Sequence, residues 1–313
     1  FYLTNKISLV PGFRFEYIKT SSNGFYRVIN LDNALNIIDN RKVLSNDERE
    51  RKFLLYGLGL SYNLFDWSEF YSNYSRNYRA VTFADINITS PNFVINPNIK
   101  DENGFTLDAG FRGNYRKVLF YDLSVYYLFY NDRIGFVPKS FDVDNSFVPV
   151  VKNEKGNIGD AKIFGQEILI NLNISNIFKR MNDFKVNYFI NFSNTQSEYA
   201  NSQVNGIQGN VVEFVPKTIY KTGFNFKFKK FSSNIQYSFT SQQFTDASNA
   251  IDGDLSGVIG EIPSYKILDF SFSYITKKIN YEFGINNALN EYYFTNRATG
   301  YPGPGILPSP DRN

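Results

Sequence analysis

Apolar and polar residues alternate along most of this chain with a period of two. The clearest stretch runs from Phe184 to Ser193. Phe184, Val186, Tyr188, Ile190 and Phe192 take one side of an extended strand, and Lys185, Asn187, Asn191 and Ser193 the other, with Phe189 alone out of place. A soluble strand usually ends after about 5–6 residues, whereas a tilted membrane-spanning strand needs about 9–11.

The same alternation recurs along the chain. Leu9, Pro11, Phe13, Phe15 and Tyr17 oppose Gly12, Arg14 and Glu16, and Tyr56 to Leu64 opposes Gly57 to Asn63. Glu69 to Asn77 is a strand whose faces are ambiguous. Phe105 to Phe111 opposes Thr106, Asp108, Gly110 and Arg112, and Leu119 to Phe129 opposes Asp122 and Ser124. Four further copies have their apolar positions at Ile168 to Ile174, Phe224 to Phe228, Ile235 to Phe239 and Leu268 to Tyr274, and Tyr281 to Ile285 is the last. This makes about eleven strands, an antiparallel all-β meander.

The connections alternate too. Short turns are predicted near Asn5, Asp66, Arg116, Ile177, Lys230 and Lys277. Between them lie long polar segments: Thr20–Glu50 with a charged run from Asp47 to Lys52, Arg79–Glu102, Arg133–Asp160, Ser197–Pro216, Thr245–Pro263 and Ala288–Asn313. The sequence assigns these segments to loops, the charged run being a solvated loop with room for a short helix. Short turns on one side and long loops on the other is the layout of an outer-membrane barrel. Lipid offers no hydrogen-bond partner, so such a sheet must be closed. Inward charges such as Arg112, Lys185, Lys227 and Lys229 would cost about 2–4 kcal/mol each at the bilayer midplane if turned to lipid, which fixes the register.

Composition agrees with strands. Phe (32) and Tyr (23) dominate the aromatics, against one Trp and one Met. The chain has neither Cys nor His, which excludes thiol catalysis, a Ser-His-Asp triad, His-based metal ligation and any disulfide. A formal net charge of +3, with Lys and Arg dispersed, sets nucleic acid aside. No cofactor is implied and no catalytic group stands out. Asp252-Gly253-Asp254 lacks the spacing of a calcium loop and reads as a turn. Phe1 is not an initiator, so an export signal is expected upstream of it.

Two stretches carry a resemblance to the TonB-dependent outer-membrane receptors. Arg79-Ala80-Val81-Thr82-Phe83-Ala84-Asp85 with Asn96-Pro97-Asn98-Ile99-Lys100-Asp101-Glu102 is similar to the family's Arg-x-Pro-x-Phe-x-Asp and Asn-Pro-x-Leu-Lys-x-Glu passage. Ala80, Val81 and Asp101 are departures from it. Ile285 to Tyr293 resembles the closing Asn-Leu-Phe-Asp-x-x-Tyr segment, departing at Ala288 and Leu289. The run Phe294 to Leu307 looks most like the ferric dicitrate receptor branch of Bacteroidetes-type members.

The resemblance implies a barrel of about 22 strands, of which residues 1–313 supply roughly strands 11 to 21 in the C-terminal half. An N-terminal plug and a final strand would lie outside this sequence. It implies an outer-membrane monomer that imports a ferric chelate, coupled through the missing part to the TonB-ExbB-ExbD complex. A passive porin and a β-rich surface adhesion module are the rival readings. An anionic chelate calls for Arg, whose guanidinium pairs carboxylates bidentately. The candidates are Arg297 in the last outer loop, Arg79 at the mouth of another, and Arg76. Gly300 to Pro310 reads as a stiff turn-rich loop.

Overall fold

A computed structural model describes residues 1–31, 36–82, 85, 93–141, 150–178, 183–253, 259–297 and 306–308. In chain order the strands are β1 (Ile7–Leu31), β2 (Ile37–Phe65), β3 (Ser68–Arg79), β4 (Phe93–Ile95), β5 (Glu102–Tyr115), β6 (Leu119–Phe141), β7 (Val150–Asn173), β8 (Phe184–Ser202), β9 (Thr218–Phe228), β10 (Phe231–Thr240), β11 (Gln243–Phe244), β12 (Glu261–Ile262), β13 (Tyr265–Ile275), β14 (Asn280–Ile285), β15 (Phe294–Arg297) and β16 (Ile306–Pro308). One helical turn, α1 (Ile174–Ile177), joins β7 to the turn before β8. Residues Phe1–Val10 with Leu58–Asn313 form one compact unit, and Pro11–Gly57 a second.

In the larger unit the sheet follows the order β1-β2-β3-β5-β6-β7-β8-β9-β10-β13-β14, with β4 added in parallel to β7. This is the meander of eleven strands that the alternation predicts, and its pairs from β3 to β14 are antiparallel. Cross-strand partners share a face, so the register settles the faces of β3, which the sequence leaves ambiguous. Phe70 lies opposite Phe111 and Leu123 on the apolar face, while Tyr71 lies opposite Gly110 and Ser124 on the polar one.

Phe189, the exception to the pattern, is opposite Gly223. A Cβ on Gly223 would stand 2.8 Å from its ring, so the aromatic covers a gap that glycine leaves on the polar face. Tyr71 covers Gly110 and Tyr126 covers Gly165 in the same way. Charges on this face pair laterally: Arg112 with Glu69 at 3.0 Å, and the Tyr71 hydroxyl with Asp122 at 2.8 Å.

Several segments expected as loops are strand. Of the segment from 20 to 50, residues 20–31 belong to β1 and 37–50 to β2, including the charged run. In the smaller unit, cations find partners across the hairpin. Lys19 bonds Glu48 and also Glu50, Arg27 donates to Asn40, and Lys42 lies 4.0 Å over the Phe25 ring. Cross-strand pairing of opposite charges stabilises a ladder whose two faces are both polar, which a periodicity search reads as coil.

Within the segment from 133 to 160, residues 133–141 and 150–160 are likewise taken up by β6 and β7, which run on past a register shift between Tyr130 and Arg133. Asp132 has a φ of 53° at that bulge, so the alternation skips a beat there and the strand signal is lost. β8 extends to Ser202. Two-stranded pieces occur in the remaining outer segments, β11 with β12 and β15 with β16. Asp254 of the acidic triplet and most of Gly300–Pro310 lie outside the described residues.

Candidate functional site

Described residues of the connections at the end of the sheet opposite the short turns fold onto its polar face. The row Asn77, Gly104, Tyr130, Ala161 and Tyr199 is a continuous cross-strand register. By even spacing along each strand it shares a face with Asp108 and Glu167. Against it pack Val204, Ile207 and Val212 from the segment after β8 and Ala247 from the segment after β11, with Val137 and Ile158. A second cluster joins Val81 and Ile99 to Ile134.

Between and beneath these apolar groups lies an ion network. Arg79 ends β3 opposite Glu102 at the start of β5. Its Nη1 meets Glu102 Oε1 at 3.0 Å and its Nη2 meets Asp85 Oδ1 at 2.9 Å. Asp85, 2% exposed, also receives Lys155 Nζ at 2.7 Å and both the amide and hydroxyl of Thr82 at 2.8 Å. Burial opposes its charge, but the bonds and charge of Lys155 and the two bonds from Thr82 prevail. They hold the carboxyl well below the usual carboxylate range. Glu102 Oε1 accepts the Ile134 amide at 2.8 Å, and Asp101 accepts the Val81 amide at 2.7 Å and the Tyr78 hydroxyl.

Residues of the two motif stretches thus meet: Arg79 and Asp85 of the first bond each other, and Arg79 also bonds Glu102 of the second. Their joint effect is to pin the segment between β3 and β5 across the extension of β6 and β7. Asn96 donates its amide to the Lys155 carbonyl at 2.8 Å, and Asn157 exchanges bonds with the Lys100 backbone at 2.7 and 2.9 Å.

A second group escapes sequence reasoning. Tyr199, fully buried, donates its hydroxyl to Glu213 Oε2 at 2.6 Å, and Arg133 Nη2 reaches Glu213 Oε1 at 3.3 Å. Burial and the Glu213 charge push the Tyr199 hydroxyl far up. Gly135 makes room for this contact: a Cβ there would stand 2.9 Å from Glu213 Oε1 and collide with Ile158. Asp246, whose carboxyl feels the Glu213 charge, is 1% exposed, and one of its oxygens has no hydrogen-bond partner among the described residues. Burial raises its carboxyl against the lowering effect of two bonds from Ser248. The available signal was an acid inside an apolar run, Val211-Val212-Glu213-Phe214-Val215. A charge so flanked is buried with a partner more readily than it is solvated.

The three arginines singled out from the sequence sit in three settings. Arg79 is bonded to two carboxylates yet keeps 43% of its side chain exposed. Arg297, on β15, donates Nε and Nη2 to the Glu261 carbonyl at 3.2 and 2.9 Å and lies 5.4 Å over the Phe294 ring. Its guanidinium crowds Gly260, whose φ of 135° suits glycine. Arg76 is opposite Phe105, on the apolar face of the sheet. Among the described residues, the arrangement holds outer segments in place over a polar inner face, with Arg79, Lys155 and Arg133 paired to carboxylates and Arg297 to a backbone carbonyl.

Comparison with known proteins converges on one architecture. A family model described as TonB dependent receptor-like, beta-barrel, matches residues 1–288. Among solved structures, the ferric citrate transporter FecA in its unliganded form superposes with a TM-score of 0.71 at 19% identity, over 98% of this chain and 42% of that one. The copper transporter OprC gives 0.72 at 15% identity, over 98% and 44%. The ferric yersiniabactin uptake receptor FyuA from Yersinia pestis gives 0.71 at 16%, over 99% and 42%. At these identities the likeness is one of fold, and the chain spans about two fifths of the length of each.

Proposed function

We propose, from the premise that this chain belongs to the TonB-dependent receptor-like β-barrel family, that it forms the C-terminal half of a receptor importing a ferric chelate of the citrate type. The chain is an outer-membrane protein. In this reading the rest of the receptor supplies a plug and a closing strand. Transport is coupled to the TonB-ExbB-ExbD complex through that missing part, and the receptor works as a monomer.

One observation carries the reading: the outer segments are fastened onto the polar inner face by Arg79, Asp85, Lys155 and Glu102 and by Arg133, Glu213 and Tyr199. Ion-paired segments at the mouth suit a receptor, because a binding surface whose positions are already fixed loses less freedom on binding. Arg297, whose guanidinium is oriented by a carbonyl and an aromatic ring, is the residue proposed to meet the anionic chelate, with the open edge of Arg79 as a second contact.

Titration of the purified intact receptor with ferric citrate tests this. Arg297→Ala should weaken binding by about tenfold, or about 1.4 kcal/mol, with the barrel still resistant to detergent at room temperature. Unchanged affinity in that variant would remove Arg297 from the site, and no affinity in the parent receptor would remove the chelate.

A further inference from the structure

The outward, apolar face of the sheet changes character at the end away from the short turns. Phe105 there has its ring 5.9 Å from those of Tyr74, Tyr127 and Phe129, and aromatic girdles of this kind mark the boundary between hydrocarbon and headgroups. The row of Phe105 and Phe129 continues into Lys162 and Glu198, ion-paired at 2.6 Å. Two residues further, about 7 Å along the strands, the same face carries Asn103 opposite Asn131 and Asp160 opposite Asn201. It turns from aromatic to polar at the level of the headgroups.

At this level Asp160 and Asn201 line a cavity of about 310 Å³ together with Asn98, Lys100, Asp132 and Gln203. Backbone bonds fix its frame. The Asp132 amide donates to Asp160 Oδ1 at 3.1 Å, and the Asp132 carbonyl accepts from Asn157 Nδ2 at 2.5 Å. Asn157 in turn exchanges bonds with the Lys100 backbone. The side-chain ends are left over. The Asp132 carboxylate, the amides of Asn98, Asn201 and Gln203 and the Lys100 ammonium form no hydrogen bond or ion pair with a described residue.

A carboxylate offers two acceptors, and a primary amide one acceptor and two donors. Adjacent hydroxyls on a sugar ring, each both donor and acceptor, are their complement. An anion would meet two carboxylates against one ammonium. Among the described residues Ile158 is the only large apolar one in the lining, too little for an apolar guest. We infer that this cavity is a saccharide site that holds the sugar headgroup of a glycolipid in the outer leaflet. A sugar carried by lipid reaches this height with its chains along the apolar face below, whereas a free sugar makes no use of that face. The inference rests on the outer-membrane placement of the chain and not on what is imported.

The purified intact receptor, stripped of lipid in detergent, tests it by titration with three probes. They are glycolipid extracted from the outer membrane of the same cells, the lipid left when mild acid removes its sugars, and the saccharide so released. The glycolipid should bind tightest. Asn201→Ala/Gln203→Ala should weaken it about tenfold and leave the sugar-free lipid unaffected. Asp132→Asn should act in the same direction without a change of shape, because asparagine accepts the φ of 53° found there.

Equal binding of glycolipid and sugar-free lipid, or glycolipid affinity unchanged in both variants, overturns the inference. Free saccharide that binds as tightly as the glycolipid overturns the lipid-borne source. Ferric citrate titration of the same variants is read separately and should match the parent, so a failed sugar site leaves chelate binding intact and a failed chelate assignment leaves the glycolipid result intact.

Discussion

Two long two-stranded regions of this chain are held by different physics. In the Pro11–Gly57 unit the ladder is laced by exposed pairs, Lys19 and its two glutamates among them, with side chains about half in water. In the extension of β6 and β7 the partners are buried: Asp85 at 2% exposure, Tyr199 fully so, and Glu213 beneath it. Exposed pairs are screened and contribute little each, so the first region is a ladder that individual charges adjust. Buried pairs are costly to break because the survivor keeps its desolvation penalty, so the second region is fixed by a few residues. Position along a strand therefore says less about importance than what covers the strand.

The sharpest way to break this contrast is Asp85→Ala. It leaves Lys155 and one arm of Arg79 without a counter-charge, a loss of about 3 kcal/mol. Limited proteolysis of the folded receptor should then cleave between residues 93 and 101 faster than in the parent. Gly135→Ala comes next: the new methyl meets Ile158 and Glu213, and overpacking of this kind costs about 1–3 kcal/mol. Hydrogen exchange should show the segment from 203 to 217 loosened while β9 and β10 stay protected. Tyr199→Phe removes one donor from Glu213 and should cost about 1–2 kcal/mol by the same measurement.

Acid separates two carboxylates in opposite directions. Asp85 is held below its unfolded value, about 3.9. Its contribution is therefore present above that pH and is lost as pH falls through the lower folded value. Asp246 is raised, so its ionisation weakens the fold as pH climbs from the unfolded value through the folded one, and acid relieves it. Proteolysis at residues 93 to 101 should increase as the medium is acidified below about pH 4. Protection around Asp246 should hold or improve from neutral pH down to that point. Equal loss at both sites would contradict the assignment. At the small end of the scale, Lys19→Ala in the exposed hairpin should leave protease resistance unchanged within error, as surface pairs usually do.

The part of the fold that obeys strict alternation was legible in the residues themselves. From β5 to β10, and in β13 and β14, one face must be apolar and the other polar, and the period of two follows. The β1–β2 hairpin was hidden because charges sit on both of its faces, so no period marks it. The outer halves of β6 and β7 were hidden by the bulge at Asp132, which shifts the phase.

The site was legible in a different sense. Arg79, Asp85 and Glu102 fall in recognisable stretches, but nothing in their spacing tells that two of the three are carboxylates clamping the third. Arg133 and Glu213 are eighty residues apart in the chain, and no local pattern joins residues so distant. Their contact exists only once β6 and the segment after β8 lie on the same face.

We propose that these fastened outer segments belong to a gated importer and not to an open pore. Uptake of radiolabelled ferric citrate by cells whose only route for it is the intact receptor tests that most directly. Uptake should saturate with concentration and stop when an uncoupler collapses the proton-motive force. Uptake that rises linearly with concentration and persists in de-energised cells would contradict it.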